Sequence, residues 1–565
     1  MNSFLKVSCI ILILVCSSSI YTYAQSSEWL LGKSFGSYGL DAANAITTDQ
    51  QGNIYITGYF ASMSITFGEI TIRNSTSYHA QIFIAKFTPD GVPVWAKSFE
   101  SNGPTNGYSI TTDLNGNVFV MGINAARQLI IGIDTLSADD SQTFIAKFNS
   151  KDGTPLWARS TQSDHSVRGT KIVCNSQGHI YIIGYFYGSS VTFGSKTVYA
   201  VDTGNYSDIF IARYNSNGSI LWALSFGGSN DESISGLTID NNGNLLISGI
   251  FRSPNISVGS VSMNKSVTYL PLHSDAFIGK ISASGTVLWL QPFGGDGDDN
   301  AHDIACDIKG NMYVIGYCAS EIIKNGDTVL VLKAFDNNQY LMKLDSLGTV
   351  IWSKTGKVKG WCKNTSVVAN EYGDIFISGY YLGEYCAFDN FTLQNTVSGT
   401  TDIFVARFTS DGIVKGVFTA AGRENDQCNG SIINKNGDIY IAGHFDSPTI
   451  RFGNTELVTS VFDKGSISRD IFIAKLHGSA IVSIDASIEV SPISIMGILQ
   501  NVKVSNLTEG TWIIEIYNLQ GQKIFQSEII ESNRNIDLSN LVKGAYIYQL
   551  QKDNEIVKTG KLILE

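Results

Sequence analysis

The sequence predicts an all-β fold, a seven-bladed β-propeller closed by its N-terminal strand, and three observations carry the prediction. A glycine-bounded apolar string recurs seven times. A second apolar string follows it in constant register. The two ends of the repeat region carry complementary halves of one unit. Searching for such periods first matters, because a missed repeat mis-assigns the whole architecture.

The first string, GNIYITG at Gly52, returns at Gly116, Gly178, Gly243, Gly310, Gly373 and Gly437, at spacings of 64, 62, 65, 67, 63 and 64 residues. Three residues before each glycine stands an Asx: Asp49, Asp113, Asn175, Asp240, Asp307, Asn370 or Asn434. Asx followed three residues later by glycine is turn chemistry, since the Asx side chain accepts from nearby amides and glycine takes positive φ. The run after it, such as Ile54, Tyr55 and Ile56, is apolar on both faces, as in a sheet sandwiched between two others. A closing glycine (Gly58, Gly122, Gly184, Gly249, Gly316, Gly379, Gly443) predicts a strand-end bend or a close backbone approach.

A less regular segment follows, often containing Phe-Gly, and then the second string, FIAKF-like, at Phe83, Phe144, Phe210, Phe277, Tyr340, Phe404 and Phe472. After a turn comes a strand marked by Trp29, Trp95, Trp157, Trp222, Trp289 and Trp352, with Phe418 as the sixth-unit substitute. With the short run before the Asx this makes four strands per unit, and seven such sheets describe the propeller. Trp29 has no FIAKF strand before it, and Phe472 has no Trp strand after it. The N-terminal strand therefore completes the last sheet and hides its edge.

Composition agrees. Charged residues are 16% of the chain, below the roughly 25% usual in soluble domains. Fifty-five glycines stand against nine prolines, and the hydrophobic share of 43% excludes disorder. A net charge of −11 argues against a nucleic-acid partner or an anionic membrane surface. Residues 1–24 carry one base, Lys6, an apolar run from Val7 to Cys16 and a small-residue end, the layout of a secretory signal cut between Ala24 and Gln25. The run is too short to span a bilayer, no transmembrane segment follows, and bulky Val15 before Cys16 speaks against a lipoprotein. Six cysteines remain in the mature chain: Cys174, Cys306, Cys318, Cys362, Cys386 and Cys428. An oxidising compartment permits disulfides among them, and their pairing is open.

Units of the form Asx-X-X-Gly-Asn-hydrophobic-Tyr, then Asp-hydrophobic-Phe-hydrophobic-Ala-Lys, then Asp-Gly-X-X-X-Trp-Ala, resemble the bacterial SBBP-type β-propeller repeat over roughly residues 26–476. The domain organisation read here is a signal at 1–24, the propeller at 25–476, a linker at 477–486 and a C-terminal domain at 487–565. The last segment reads as short strands (NVKVSN, GTWIIEIYNLQGQKIF, NIDLSNLVKGAYIYQLQ, EIVKTGKLILE), which predict a small Ig-like β-sandwich. Its wording is similar to the type A sorting domain of type IX secretion in Bacteroidota, through Tyr517, Gly521, Leu538, Gly544, Tyr546, Lys558 and Lys561. A Pro-Asn-Pro-like opening is replaced by Ser491-Pro492-Ile493. The resemblance implies the type IX machinery as a partner, passage through the periplasm, and release outside the cell or retention on the outer-membrane surface.

The basic residue three after the FIAKF aromatic is present in every unit: Lys86, Lys147, Arg213, Lys280, Lys343, Arg407 and Lys475. A residue repeated in every unit reads as scaffold, here a partnered charge between sheets. Ligand residues are expected instead in the loops leading to each inner strand, which gather on one face. There stand Asp41, Asp231, Glu232, Asp298, Asp299, His302, Glu424 and Asp426 as ligand candidates. Asp296, Asp298 and Asn300 offer oxygen donors suited to calcium. No HExxH pair or nucleophile elbow in a fitting context is present, so no catalytic residue is assigned. The expectation is a secreted or surface binding module for a glycan or protein. The alternatives are a glycan-active hydrolase or lyase using loop carboxylates, and a structural or adhesive surface component.

Overall fold

The computed structural model describes most residues between Trp29 and Leu564; residues 1–28, loops such as 267–272, 332–337 and 461–467, and much of 478–511 lie outside the described residues. The expected signal cleavage at Ala24 and Gln25 falls outside them. The structure is all strand, and it divides into two compact units, one of residues up to Ile432 with Tyr440–Ala474, the other of Ile433–Ile439 with Lys475–Glu565. No helix among the described residues is long and apolar enough to cross a membrane.

Among the described residues up to Leu476, seven four-stranded antiparallel arrays follow one another, two of them inside larger sheets. In the first, the order is Asp41–Thr48, Ile54–Phe60, Gln81–Phe87 and Pro93–Ser98. The turn chemistry is as expected. Asp49 Oδ1 accepts the amides of Gln51 and Asn53 at 3.0 and 2.9 Å, its Oδ2 accepts Tyr55 Oη at 2.9 Å, and Gly52 sits at φ 81°. The second strand is buried on both faces, as in Ile54, Tyr55 and Ile56 at 0% exposure. The closing glycine answers a close approach: a Cβ on Gly58 would lie 2.0 Å from the carbonyl oxygen of Ala42.

The seventh array holds Asp426–Ile433, Ile439–Phe445 and Asp470–Leu476, and its fourth strand is Trp29–Phe35 from the N-terminus. The Phe-Gly segments, which the sequence left irregular, are short two-stranded hairpins such as Ser64–Phe67 with Ile70–Arg73. Two of them pair with the outer strand of the preceding unit, Thr161 opposite Phe193 and Ala420 opposite Phe452, and so cover an exposed edge.

The Trp column needs a correction at two places. Lys86 stands opposite Trp95 and Lys343 opposite Trp352, but Arg407 stands opposite Gly416, so Phe418 is two residues out of register. Its ring nevertheless lies over Gly416, where an added Cβ would meet Phe418 Cζ at 3.0 Å, and thus fills the missing indole's place. At the N-terminus the turn glycine Gly91 faces Leu31, as Gly153 faces Trp95, so Leu31 holds the column while Trp29 packs edge-on against Phe452 at 5.1 Å.

The basic column clasps neighbouring units. Lys86 Nζ and Trp95 Nε1 both donate to the carbonyl of Ser150 in the next unit, at 2.8 and 3.1 Å. Lys147 with Trp157 does the same to Ser216, Arg213 with Trp222 to Ala283, and Lys343 with Trp352 to Ser410. Ion pairs to the Asx column, such as Lys280 with Asp240 at 2.8 Å, supply the partner a buried charge requires.

The C-terminal segment forms two four-stranded sheets, whose Trp512, Ile514, Ile516, Ile536, Leu538, Tyr546 and Tyr548 share one core, a sandwich. Of the sorting-motif residues, Leu538 and Tyr546 are buried, Tyr517 donates to Glu515, and Gly544, Lys558 and Lys561 lie on paired strands. Gly521 lies outside the described residues, between Asn518 and Gln522, which close the turn through Gln522 N to Asn518 Oδ1 at 2.9 Å.

Candidate functional site

The loop acids expected to face a ligand separate into two sets. Asp41, Glu232, Asp299 and Asp426 are the first residues of their inner strands, not loop residues, and all four are fully buried. A serine 21 residues on holds each one. Ser62 Oγ donates to Asp41 at 2.5 Å, Ser320 Oγ to Asp299 at 2.7 Å, Ser447 Oγ to Asp426 at 2.8 Å, and the amide of Ser253 to Glu232 at 3.1 Å. Each also faces the carboxyl that opens the third strand of the preceding unit: Asp470, Asp208, Asp275 and Asp402 respectively. Burial, opposed by the serine bonds, pushes Asp41 up to about 6, Glu232 and Asp299 to about 7 and Asp426 to about 8. These are structural staples in the seams between units.

The second set caps the third strands. Asp231 Oδ1 accepts the amide and hydroxyl of Ser207 at 3.0 and 3.1 Å, and Asp298 Oδ1 accepts those of Ser274, both at 2.9 Å. Asn425 does the same for Thr401, at 3.2 Å to its amide. Glu424 and Asp296 are exposed. The calcium candidates have separate duties: Asp298 holds Ser274, Asp296 faces solvent, and the side-chain carbonyl of Asn300 is buried without a partner. Among the described residues no three His, Cys, Asp or Glu side chains converge as a metal-holding group.

His302 belongs to a column the sequence reading passed over. Inner strands carry a register shift at one position, between Ala43 and Ala45, Gly107 and Ser109, Gly169 and Lys171, Ile234 and Gly236, Ala301 and Asp303, and Asn364 and Ser366. The bulged residue is polar in every unit: Asn44, Tyr108, Thr170, Ser235, His302, Thr365, and Asn429 at the matching place. Five of them reach the backbone carbonyl just before the next unit's own bulged residue. Asn44 bonds Gly107 at 2.9 Å, Thr170 bonds Ile234 at 2.7 Å, and Ser235 bonds Ala301 at 3.4 Å. Thr365 bonds Cys428 at 2.9 Å, and Asn429 bonds Ala43 at 2.8 Å. The last of these contacts joins the seventh unit to the first. A donor eight residues before each string's first glycine was the signal. Burial, with Lys363 nearby, lowers His302 to about 4 and keeps it neutral.

One residue further along, Lys171 of the third inner strand pairs with Asp303 of the fifth. Gly236 stands at the same position of the fourth, where no side chain intervenes. The beginnings of these strands carry a group of part-exposed polar aromatics. Asn44 Nδ2 donates to Asn106 Oδ1 at 2.8 Å, and Tyr108 lies beside Asn106, Arg168, Tyr185 and Tyr59. Tyr185 and Tyr187 rings stand 6.1 Å apart, and Tyr187 lies beside Ser207 and Asp231. Burial raises the hydroxyl pKa of Tyr108 and Tyr187, leaving both phenols neutral donors. The group combines stacking surfaces, planar amides and a guanidinium on one rim.

Comparison with known proteins gives two family matches. Residues 28–59 match the β-propeller repeat, and residues 494–565 match the secretion system C-terminal sorting domain. The second match makes this an exported chain, bound for the cell surface or the extracellular space. An uncharacterized WD repeat-containing protein of Acanthamoeba polyphaga mimivirus is 21% identical over 409 residues, 60% of this chain and 29% of that protein. Regulatory protein FlaEY of Caulobacter vibrioides is 24% identical over 293 residues, 48% of this chain and 29% of its own length. The chain spans less than a third of either relative. Among solved structures, Sqt1 from Chaetomium thermophilum covers 72% of this chain and 95% of its own at 9% identity, with a TM-score of 0.36. The extracellular domain of a one-component system of B. thetaiotaomicron covers 94% and 99% at 10% identity, with a TM-score of 0.18.

Proposed function

We propose that this exported β-propeller-repeat protein is a binding module, and that it receives a glycan on the rim formed by Tyr59, Tyr108, Tyr185, Tyr187, Arg168 and Asn106. The observation that carries the reading is Tyr108, 38% exposed at a bulge and grouped with Asn106, Arg168 and two further tyrosines. Sugar rings offer C–H faces that stack on aromatics and vicinal hydroxyls that pair with amides and guanidinium groups, and tyrosine supplies both an apolar face and a polar tip. Functional side chains held on rigid strands need little reordering on binding. The burial of Asp41, Glu232, Asp299 and Asp426 speaks against the hydrolase alternative, since a general acid must come within hydrogen-bond reach of the bond it protonates.

The test is the mature chain on a glycan and polysaccharide array, with and without calcium, followed by an assay of retained sugars for cleavage. Retained and uncleaved glycan supports the proposal. Cleavage overturns the non-enzymatic part, and silence across the array overturns the glycan.

A further inference from the structure

We propose that Cys362 and Cys386 are joined by a disulfide in the exported protein, so that the sixth unit is covalently stapled across its own first hairpin. The two Sγ atoms stand 3.9 Å apart, and the residues are 1% and 0% exposed.

The juxtaposition is not a by-product of strand pairing. Cys362 is opposite Tyr381, and Cys386 is opposite Val358. A straight hairpin would hold the two cysteines roughly 13–16 Å apart, at about 3.3 Å per residue. They meet because this hairpin, Lys357–Ala369 with Ile375–Phe388, is 13 and 14 residues long where the first unit's strands are 8 and 7, and because it folds over on itself. The fold is made by two directly paired glycines, Gly360 at φ 133° and Gly383 at φ 130°. A Cβ on either would lie 2.2 Å from a carbonyl oxygen of the opposite strand, Leu382 or Lys359, so no other residue fits. The bend carries Cys386 back over Cys362, into a core with Phe388, Leu393 and Phe404.

The sorting domain marks an exported chain, and disulfides persist in the compartments beyond the reducing cytosol. The reaction is a two-electron oxidation. One cysteine thiolate attacks the disulfide of a thiol–disulfide oxidoreductase, the second displaces the enzyme sulfur from the mixed disulfide, and the enzyme leaves as a dithiol. The protein loses two protons and two electrons and gains one S–S bond. Burial and the neighbouring thiol hold Cys362 well above the ordinary thiol range, so the packed pair is unreactive, and oxidation belongs to the stage before the core closes.

The test is a peptide map of the full mature chain, secreted, alkylated in denaturant without reductant and cut with trypsin. Cleavage after Lys359, Lys363 and Arg407 puts Cys362 and Cys386 on separate peptides. The expected result is one linked species of these two peptides, lighter by two hydrogens than their sum, that reductant separates. The same material, reduced and held reduced, then unfolds several degrees lower. Recovery of both cysteines fully alkylated without reductant, or of either one linked to another cysteine, overturns the proposal.

Discussion

Asn429 Nδ2 donates to the backbone carbonyl of Ala43 across 2.8 Å, and 386 residues separate the two. The same closure recurs nearby, where the amide of Asp41 donates to the carbonyl of Arg469 at 3.1 Å. Equivalent bonds link Thr105 to Ala80, Glu232 to Ser207 and Asp299 to Ser274. The joint between the seventh and first units is therefore built like those between sequence neighbours.

Replacing Asn429 with alanine leaves the fully buried Ala43 carbonyl without this donor. An orphaned buried acceptor costs about 1–3 kcal/mol. The expected outcome for N429A is a loss of that size in urea-induced unfolding, with a native circular dichroism spectrum before the transition.

The four buried staples make stability fall with rising pH. Asp41, Glu232, Asp299 and Asp426 are harder to ionise in the folded chain than in the unfolded one. The folded state therefore holds its protons more tightly. The stability these groups contribute is complete below about pH 4 and is lost as pH climbs through about 6 to about 8. Thermal midpoints across that range should fall, and D426N should fall less steeply, because the amide keeps the Ser447 contact without ionising.

Two turn glycines separate backbone strain from steric conflict. Gly243 has φ 79° and open space where a Cβ would stand, whereas Gly153 has φ 71° and Trp95 Cε3 at 2.7 Å. G243A is expected to cost about 1–2 kcal/mol for left-handed backbone alone. G153A adds about 1–3 kcal/mol of overpacking against the indole. Comparing the two denaturation midpoints decides it; equal losses would mean that Trp95 yields freely.

On the binding rim, Y108A and R168A should each weaken retention of an array-identified glycan about tenfold or more, at an unchanged thermal midpoint. Glu424→Gln, on an exposed loop acid that is not one of the rim residues, should bind as the parent does. Titration by calorimetry checks both, and a loss confined to E424Q would move the site to the acidic loops.

Repetition made the fold legible. Seven copies of the Asx turn, the doubly buried strand and the basic column each pointed to one structural duty, and each duty is visible in Asp49, Ile56 and Lys86. The Trp column misled where one residue had moved. Trp29 and Phe418 match the pattern by type, yet Leu31 and Gly416 hold its register, because an aromatic ring can cover a site from two residues away. The acidic loops were harder. Asp231 and Glu232 adjoin in sequence, but one caps the Ser207 strand at the surface and the other begins a buried strand, and side-chain type alone does not reveal that boundary. The rim tyrosines do sit in columns, Tyr59 and Tyr185 directly after a closing glycine and Tyr108 at the bulge, but neither column is tyrosine throughout, so the repeat does not single them out.

The strand Trp29–Phe35 belongs to the same sheet as Asp470–Leu476. The loop at which the chain starts is thus of little consequence to the closed set of sheets. A protease that cut one surface loop would leave two fragments still held together by a full set of sheet bonds, migrating as one particle until denatured. By the same logic a gene rearranged to begin at another inter-sheet loop, with the old ends tied together, would encode the same object.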